Sequence, residues 1–374
     1  MRNDSKVDLQ PSYPVRLRES FGEALAALRA DRSDPIGMVV IDRRVLDRHP
    51  DALAALGDEA RGRTVALNGG EPVKTLRSFE RLHRAAAEFG MDRQSLVIAV
   101  GGGTIGDLAG FVASTWMRGV PWCPVATTSL AMADSAIGGK TAVNLAGAKN
   151  VVGSFHQPAG VYGALEALET LPWRHTRSGL AEVLKAGLIA DADLFAATVD
   201  SATRLRALDR AAWLEVLQGA NRVKAEVVAR DPRESGGRAV LNFGHTVGHA
   251  LEVAHRPRLT HGEAVGLGMI SASWVSERLG VAPPGTTDRV REALGRLGLP
   301  REVRALDEPT LWRAMRYDKK SDGGEARLVL THGIGSATVG HRVERKILQQ
   351  SLSVLGEGPS QGRSGPDRQR GQES

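Results

Sequence analysis

Cysteine is almost absent from the 374 residues: Cys123 stands alone. An internal disulfide and a cysteine metal cage are therefore excluded, as is a redox-cysteine mechanism within one chain, and Cys123, beside an apolar run, reads as a small buried hydrophobe. Aromatic residues are scarce, at 4 %, so aliphatic side chains must fill the core. Lysine is rare as well: nine residues, against 40 arginines among the 49 basic side chains. No apolar run approaches the roughly 18 residues that cross a bilayer, and Met1 to Tyr13 carries Asp4, Lys6 and Asp8 instead of the apolar centre of a signal peptide. The expectation is a soluble, cytoplasmic protein with no membrane partner. What is present is ordinary for a globular chain, 42 % hydrophobic and 25 % charged. The net charge of +6 and pI near 9.7 come from scattered residues with no long basic tract or interleaved aromatics, so no nucleic-acid partner is expected.

The length favours two domains. In the first half, short apolar runs (Met38 to Asp42, Thr64 to Asn68, Ser95 to Val100 and Val120 to Thr127) alternate with helical patterns over Phe21 to Ala30 and Leu76 to Phe89. That rhythm predicts a parallel, Rossmann-like α/β sheet with crossover helices over 1–175. From about Pro172 the pattern is helical, over Ser178 to Leu188, Ala192 to Ala207, Arg210 to Val228, Val240 to Ala254 and Glu263 to Leu279. A mostly α-helical domain is expected over 176–355, with a late hairpin from Arg327 to Leu330 and Ser336 to Val339. Residues 356–374 collapse into Gly, Ser, Pro, Gln and Arg and read as a disordered tail.

Three clusters carry chemistry. Gly101, Gly102, Gly103, Thr104, Ile105 and Gly106 lie between the SLVIAV strand and a helical pattern from Asp107 to Met117. Glycines there let backbone amides approach a pyrophosphate at a helix N-terminus. No acidic residue ends a strand some twenty positions on, so Asp42, closing the MVVID run, is the better ribose partner. Next, Thr127, Thr128, Asp134, Lys140, Asn144, Lys149 and Asn150 thread a glycine-rich loop whose donors suit a phosphate. Finally, His245, His249, His255 and His261 fall within 17 residues. His245 and His249 share a helical face at i and i+4, and with His261 and a carboxylate they make a kit for catalytic zinc. Glu182, in the apolar stretch SGLAEVLKAG with Lys185 on its face, is the best carboxylate.

These stretches together resemble the 3-dehydroquinate synthase family of sugar phosphate cyclases. The likeness runs through GGGTIGDLAGFVASTWMRG (101–119), TTSLAMADSAIGGKTAVN (127–144), KNVVGSFHQP (149–158), SGLAEVLKAG (178–187), KAEVVARDPRESGGRAVLNFGHTVGHALE (224–252), HGEAV (261–265) and DKK (318–320). The resemblance implies that Glu182, His245 and His261 bind zinc or cobalt. It moves His249 from the metal to the substrate phosphate. NAD falls to Asp42, Glu71, Lys74, Gly102, Gly103, Thr104, Asp107, Thr127, Thr128 and Lys149. The anionic sugar phosphate falls to Asp134, Lys140, Asn150, Lys185, Lys224, Arg238, Asn242, Lys319 and Lys320, with Arg118 reaching across a homodimer. Seven of the nine lysines fall in or beside these positions.

The implied reaction turns 3-deoxy-D-arabino-heptulosonate 7-phosphate into 3-dehydroquinate, in the shikimate pathway of aromatic amino acid biosynthesis. It proceeds by transient oxidation by NAD, phosphate elimination, reduction and intramolecular aldol closure, a phosphate-eliminating carbon–oxygen lyase. Lys224 and Arg238 would hold the substrate carboxylate, which favours a carboxylated heptulosonate over other sugar phosphates. His175 stands where the family carries Glu, and Ala148 where it carries Gly. Aminodehydroquinate synthase or another specialised cyclase is the near alternative. An NAD- and metal-dependent polyol dehydrogenase is the distant one, and a non-catalytic basic binding protein leaves the Glu182, His245 and His261 set unexplained.

Overall fold

The computed structural model describes residues 5–7, 12–255, 258–303, 308–316 and 325–356. Its strands are β1 (Ser5–Val7), β2 (Tyr13–Arg18), β3 (Ile36–Asp42), β4 (Thr64–Leu67), β5 (Leu96–Gly101), β6 (Trp122–Ala126), β7 (Lys140–Leu145), β8 (Ala148–Phe155), β9 (Val161–Ala164), β10 (Glu325–Gly333) and β11 (Ser336–Glu344). Helices in the first half are α1 (Phe21–Asp31), α2 (Arg43–Arg48), α3 (Gly57–Gly62), α4 (Leu76–Glu88) and α5 (Gly103–Thr115). The second half holds α6 (Trp173–Ala190), α7 (Ala192–Asp200), α8 (Ala202–Arg206), α9 (Arg210–Arg230), α10 (His245–Ala254), α11 (His261–Arg278), α12 (Thr286–Arg296), α13 (Glu308–Arg316) and α14 (Arg345–Ser353).

The main sheet has the order β1-β2-β9-β6-β5-β3-β4, parallel except for the antiparallel β1 edge. β3 and β5 are buried along their whole length. Unbroken apolar runs are what a parallel strand covered on both faces requires. α1 packs on one face, with Leu25, Leu28, Ile98 and Val125; α4 and α5 cover the other, with Leu82, Leu108, Val97 and Val40. A third core joins the helices of the second half and takes in Val15, Leu17 and Met132 from the first. β5 lies between β3 and β6, so the chain winds outward in both directions from that point. Such a switch in strand order opens a crevice at the strands' carboxyl ends.

Several sequence expectations shift. Val240 to Ala254 is not one helix: Gly237–Asn242 forms a 3₁₀ turn, and Gly244, at φ 76°, sits in the left-handed region, so α10 starts at His245. Ala192 to Ala207 divides at Ser201, whose φ of −83° and ψ of 5° leave the α-helical region. The glycine-rich loop is instead an antiparallel hairpin, β7–β8, turned through Ala146 and Gly147 at positive φ. β1, β2 and β9 are short strands that were not anticipated. The late hairpin is β10–β11, and Cys123 is fully buried in β6. Of the proposed tail, Gly356 bridges to Val303, and 357–374 lie outside the described residues.

Among the described residues no helix is long and apolar enough to cross a membrane. At the outer end of the sheet, β4 and α4 border an open groove of about 600 Å³ lined by Arg43, Arg77, Arg81 and Arg84 among others. It shares no lining residue with the expected site.

Candidate active site

The glycine-rich turn lies at the switch point. β5 runs into Gly102, the N-cap of α5, and the register Ile41 with Val100 brings Asp42 beside the turn. The bend is tight: a Cβ on Gly102 would lie 2.9 Å from Thr128 Cγ2, and one on Gly103 2.7 Å from Ser135 Oγ, so those side chains would have to turn aside. Thr127 donates its N–H to the Gly101 carbonyl at 3.0 Å, and Thr104 Oγ1 accepts from Gly70 N at 3.2 Å. Asp42 is buried and accepts a two-pronged ion pair from Arg44, at 3.0 and 2.7 Å, together with Gly69 N. Arg44 is a neighbour that motif reading did not single out.

Of the other residues expected at NAD, Glu71, Lys74 and Asp107 share one network with Asn144 and Asn150. Buried Lys74 donates to Asp107 Oδ2 at 2.5 Å and to Asn150 Oδ1. Asn144 donates to Glu71 Oε1 at 2.6 Å and accepts from Asn150 N at 2.9 Å. Burial pushes the Asp107 carboxyl up, with Lys74 opposing it. Lys149 sits apart from this network and donates to Glu252 Oε1 at 2.5 Å.

The three residues expected to bind the metal come from three helices. Glu182 and Lys185 face inward from α6, each only 2 % exposed, and Lys185 Nζ pairs with Glu182 Oε2. α10 and α11 approach closely enough that a Cβ on Gly268 would lie 1.9 Å from the Gly244 carbonyl oxygen. That closeness brings His245 Nε2 to 3.7 Å and His261 Nε2 to 3.3 Å from Glu182 Oε1. The three ligand atoms lie within 4.8 Å of one another. His261 opens α11, whose capping box joins Thr260 and Glu263, and Arg174 and Arg177 hold the Glu263 carboxylate.

These residues fit a divalent cation. Both Glu182 oxygens are buried without a well-formed hydrogen-bond partner, and two imidazole nitrogens converge on one of them. Against burial, Lys185 and the histidines hold the Glu182 carboxyl well below its usual range. Burial, helped by Lys185, pushes His245 down to about 3. At His261 burial is outweighed by Glu182 and Glu252, which push it up to about 10. That point therefore attracts positive charge. His249 lies beside both imidazoles, its ring 5.1 Å from that of His245, while His255 lies outside the three-ligand set.

Next to the metal group runs a line of charges. Lys224 Nζ donates to the Asp134 carboxylate at 2.5 Å and carbonyl at 2.6 Å. Burial lowers Lys224 despite this partner, whereas Lys224 and Lys185 overcome burial to lower Asp134. Lys185 is raised, because Glu182 and Asp134 outweigh its burial. Arg238, 1 % exposed, donates to the Pro232 and Gly138 carbonyls at 2.9 and 3.0 Å and leaves its buried Nε unpartnered. Asn242 donates to Glu234 Oε1 at 2.9 Å, and Lys140 pairs with the other Glu234 oxygen. Glu234 and Glu252 were missed; the acidic residues in ARDPRES and HALE carry no periodic signal of their own. Arg118 is exposed beyond α5, at φ 69°, at the end of that helix opposite the glycine turn. His175 is exposed near the start of α6. Lys319 and Lys320 lie outside the described residues.

Family models for the 3-dehydroquinate synthase N-terminal and C-terminal regions match residues 64–178 and 179–321. The 3-dehydroquinate synthase of Gloeobacter violaceus is 42 % identical over 350 residues, covering 92 % of this chain and 96 % of that one. The Streptomyces avermitilis 3-dehydroquinate synthase is 38 % identical, covering 91 % and 93 %. A 2-deoxy-scyllo-inosose synthase structure with carbaglucose-6-phosphate, NAD+ and Co2+ superposes with a TM-score of 0.84 at 25 % identity, over 94 % of this chain and 99 % of that one. A 2-epi-5-epi-valiolone synthase from Streptomyces hygroscopicus with NAD+ and Zn2+ gives 0.82 at 29 %, over 92 % and 96 %. The chain belongs to the 3-dehydroquinate synthase family. A probable glycerol dehydrogenase from Sinorhizobium meliloti, at TM-score 0.62 and 17 % identity, shares the fold alone.

Proposed function

We propose that this protein is a 3-dehydroquinate synthase, a phosphate-eliminating lyase that converts 3-deoxy-D-arabino-heptulosonate 7-phosphate to 3-dehydroquinate. The observation that carries the reading is the adjacency of the Glu182, His245 and His261 group to the buried Lys185, Asp134, Lys224 and Arg238 line, in a chain with a dinucleotide-type switch point. When bound, NAD would take up and return one hydride, and a divalent metal held by the three ligands would acidify the substrate alcohol.

The chain's own residues bind and orient. Arg238, with a spare buried donor, and Lys224 suit the substrate carboxylate, the guanidinium offering a planar fork. Lys140, Asn150 and His249 supply donors for the phosphate, joined in this reading by Lys319 or Lys320 and by the same Arg118 position of a second copy. Asp42, Glu71, Lys74, Thr104, Asp107, Thr127, Thr128 and Lys149 form the dinucleotide side with Gly102 and Gly103. Asp134 orients Lys224 and, with Asn242, a substrate hydroxyl. Such fixed clamps give orientation, which intramolecular steps reward. We further propose that residues 1–175 act as the dinucleotide half and 176–355 as the metal and substrate half of a cytoplasmic homodimer.

The test is to offer the purified protein, with NAD and zinc, the heptulosonate phosphate and its 4-amino analogue separately. Release of phosphate and 3-dehydroquinate without accumulation of NADH is expected from the first. Net NADH formation would point to a dehydrogenase, and carbocycle formation from the amino analogue alone would assign the aminated pathway.

A further inference from the structure

We propose that Glu252 is a positioning residue for the metal centre and that Lys149 acts through it, tying the β7–β8 hairpin to one metal ligand. The inference rests on the reading of Glu182, His245 and His261 as metal ligands. An imidazole that binds a metal through one nitrogen is oriented by what its other nitrogen donates to. His245 Nδ1 faces the carbonyl of Phe243 at 3.2 Å, a partner two residues away on its own backbone. His261 Nδ1 instead donates to Glu252 Oε2 at 3.2 Å. A carboxylate only accepts, so Nδ1 is the donor here, and when Nε2 binds a metal the proton the ring keeps is the one aimed at Glu252.

Glu252 is itself held. Its other oxygen, Oε1, accepts from Lys149 Nζ at 2.5 Å, and Lys149 stands on β8, two positions past Gly147 in the positive-φ turn Ala146–Gly147. Glu252 lies two turns along α10 from His245, with its side chain 15 % exposed. The order is therefore Lys149, Glu252, His261, Glu182: a lysine from the hairpin, a carboxylate from α10, an imidazole from α11 and a carboxylate from α6. Only one of the two histidines is oriented this way. Loss of Glu252 should loosen His261 and leave His245 fixed by its own backbone.

The full-length protein is tested as Glu252→Gln, which keeps the shape and removes the charge, by chelator competition for Zn2+ and by the visible absorption of the Co2+ form. Zinc affinity is expected to fall about 10- to 100-fold, with a changed cobalt spectrum and unchanged melting of the metal-free protein. Lys149→Ala should weaken zinc less, and its effect should vanish in the Glu252→Gln background, since a group acting through another has nothing left to act on. Should Glu252→Gln not fold, Glu252→Asp is read in the same assays and should retain part of the affinity. Unchanged zinc affinity and cobalt spectrum in the Glu252 variants overturn the proposal while leaving the metal site standing. Additive losses from Lys149→Ala and Glu252→Gln overturn the role of Lys149. A wild-type protein that binds neither metal overturns the ligand reading and this inference with it.

Discussion

The two sides of the site hold their charged groups by different means. On the helical side, Glu182, Lys185, His245 and His261 stand on helices whose backbones nearly touch, α10 and α11 at Gly244 and Gly268, α11 and α6 at Gly262 and Ser178. On the sheet side, Lys74, Asp107, Glu71, Asn144 and Asn150 are fixed by one another, through hydrogen bonds linking the 3₁₀ turn Glu71–Val73 and the Lys74 that follows it to α5 and the hairpin. Packed backbone fixes where the helices of the metal side stand, while the aim of His261 within that frame still depends on Glu252. A side-chain network is cooperative, and loss of one member disturbs the rest.

That contrast can be broken most sharply at Glu182. Glu182→Ala should abolish metal binding and lower turnover at least about 1,000-fold, since several kcal/mol of charge stabilisation go with the cation. Dinucleotide affinity, measured by calorimetry, should stay within a few-fold if the two sides are separable. The complementary change is Gly103→Ala, whose new methyl meets Ser135 Oγ at 2.7 Å. We expect turnover to fall about 100-fold through misplacement of the dinucleotide, with metal content by elemental analysis unchanged.

A third, smaller effect concerns acid. Arg174 and Arg177 outweigh burial and hold the Glu263 carboxyl down at about 2 from an ordinary 4.5. A carboxyl depressed in the folded state stabilises the protein fully above about 4.5, and that stability is lost as pH falls towards about 2. Glu263→Gln should therefore flatten the decline of denaturant stability across that window, and an unchanged slope would show that the pair contributes nothing. The smallest effect is Thr260→Ala. Loss of the N-cap should cost about 1 kcal/mol, read by urea unfolding, with α11 and the metal ligands otherwise in place.

The same contrast explains what the sequence disclosed. Burial of Glu182 and Lys185 was legible because both sit in an apolar helical stretch, where local periodicity decides which face turns inward. Spacing marks His245 as a candidate ligand, and His249 equally. Only the left-handed Gly244, which starts α10 at His245, and the placement of α6 separate the two in space. Strands β3 and β5 announced themselves as unbroken apolar runs. The β7–β8 hairpin did not, because its exposed strand β8 alternates weakly and its glycines mimic a loop. Glu234 and Glu252 were hidden for a further reason: their partners are set by tertiary contacts, and a lone acidic residue on a surface pattern carries no period; Arg44 pairs only two residues back, with Asp42, a contact that no motif marks.

The sheet ends at β4, only four residues long, with the arginine-lined groove along its flank. A bare strand margin is a template on which another polypeptide can zip up and start an aggregate. Here the border mixes Arg43, Arg77, Arg81 and Arg84 with Glu80 and Glu88, Arg84 pairing with Glu80, so a second copy would have to strip water from a charged fringe of both signs before a backbone ladder could form. The scarcity of lysine thus has a counterpart: arginine, which guards this open border, is free of catalytic duty there.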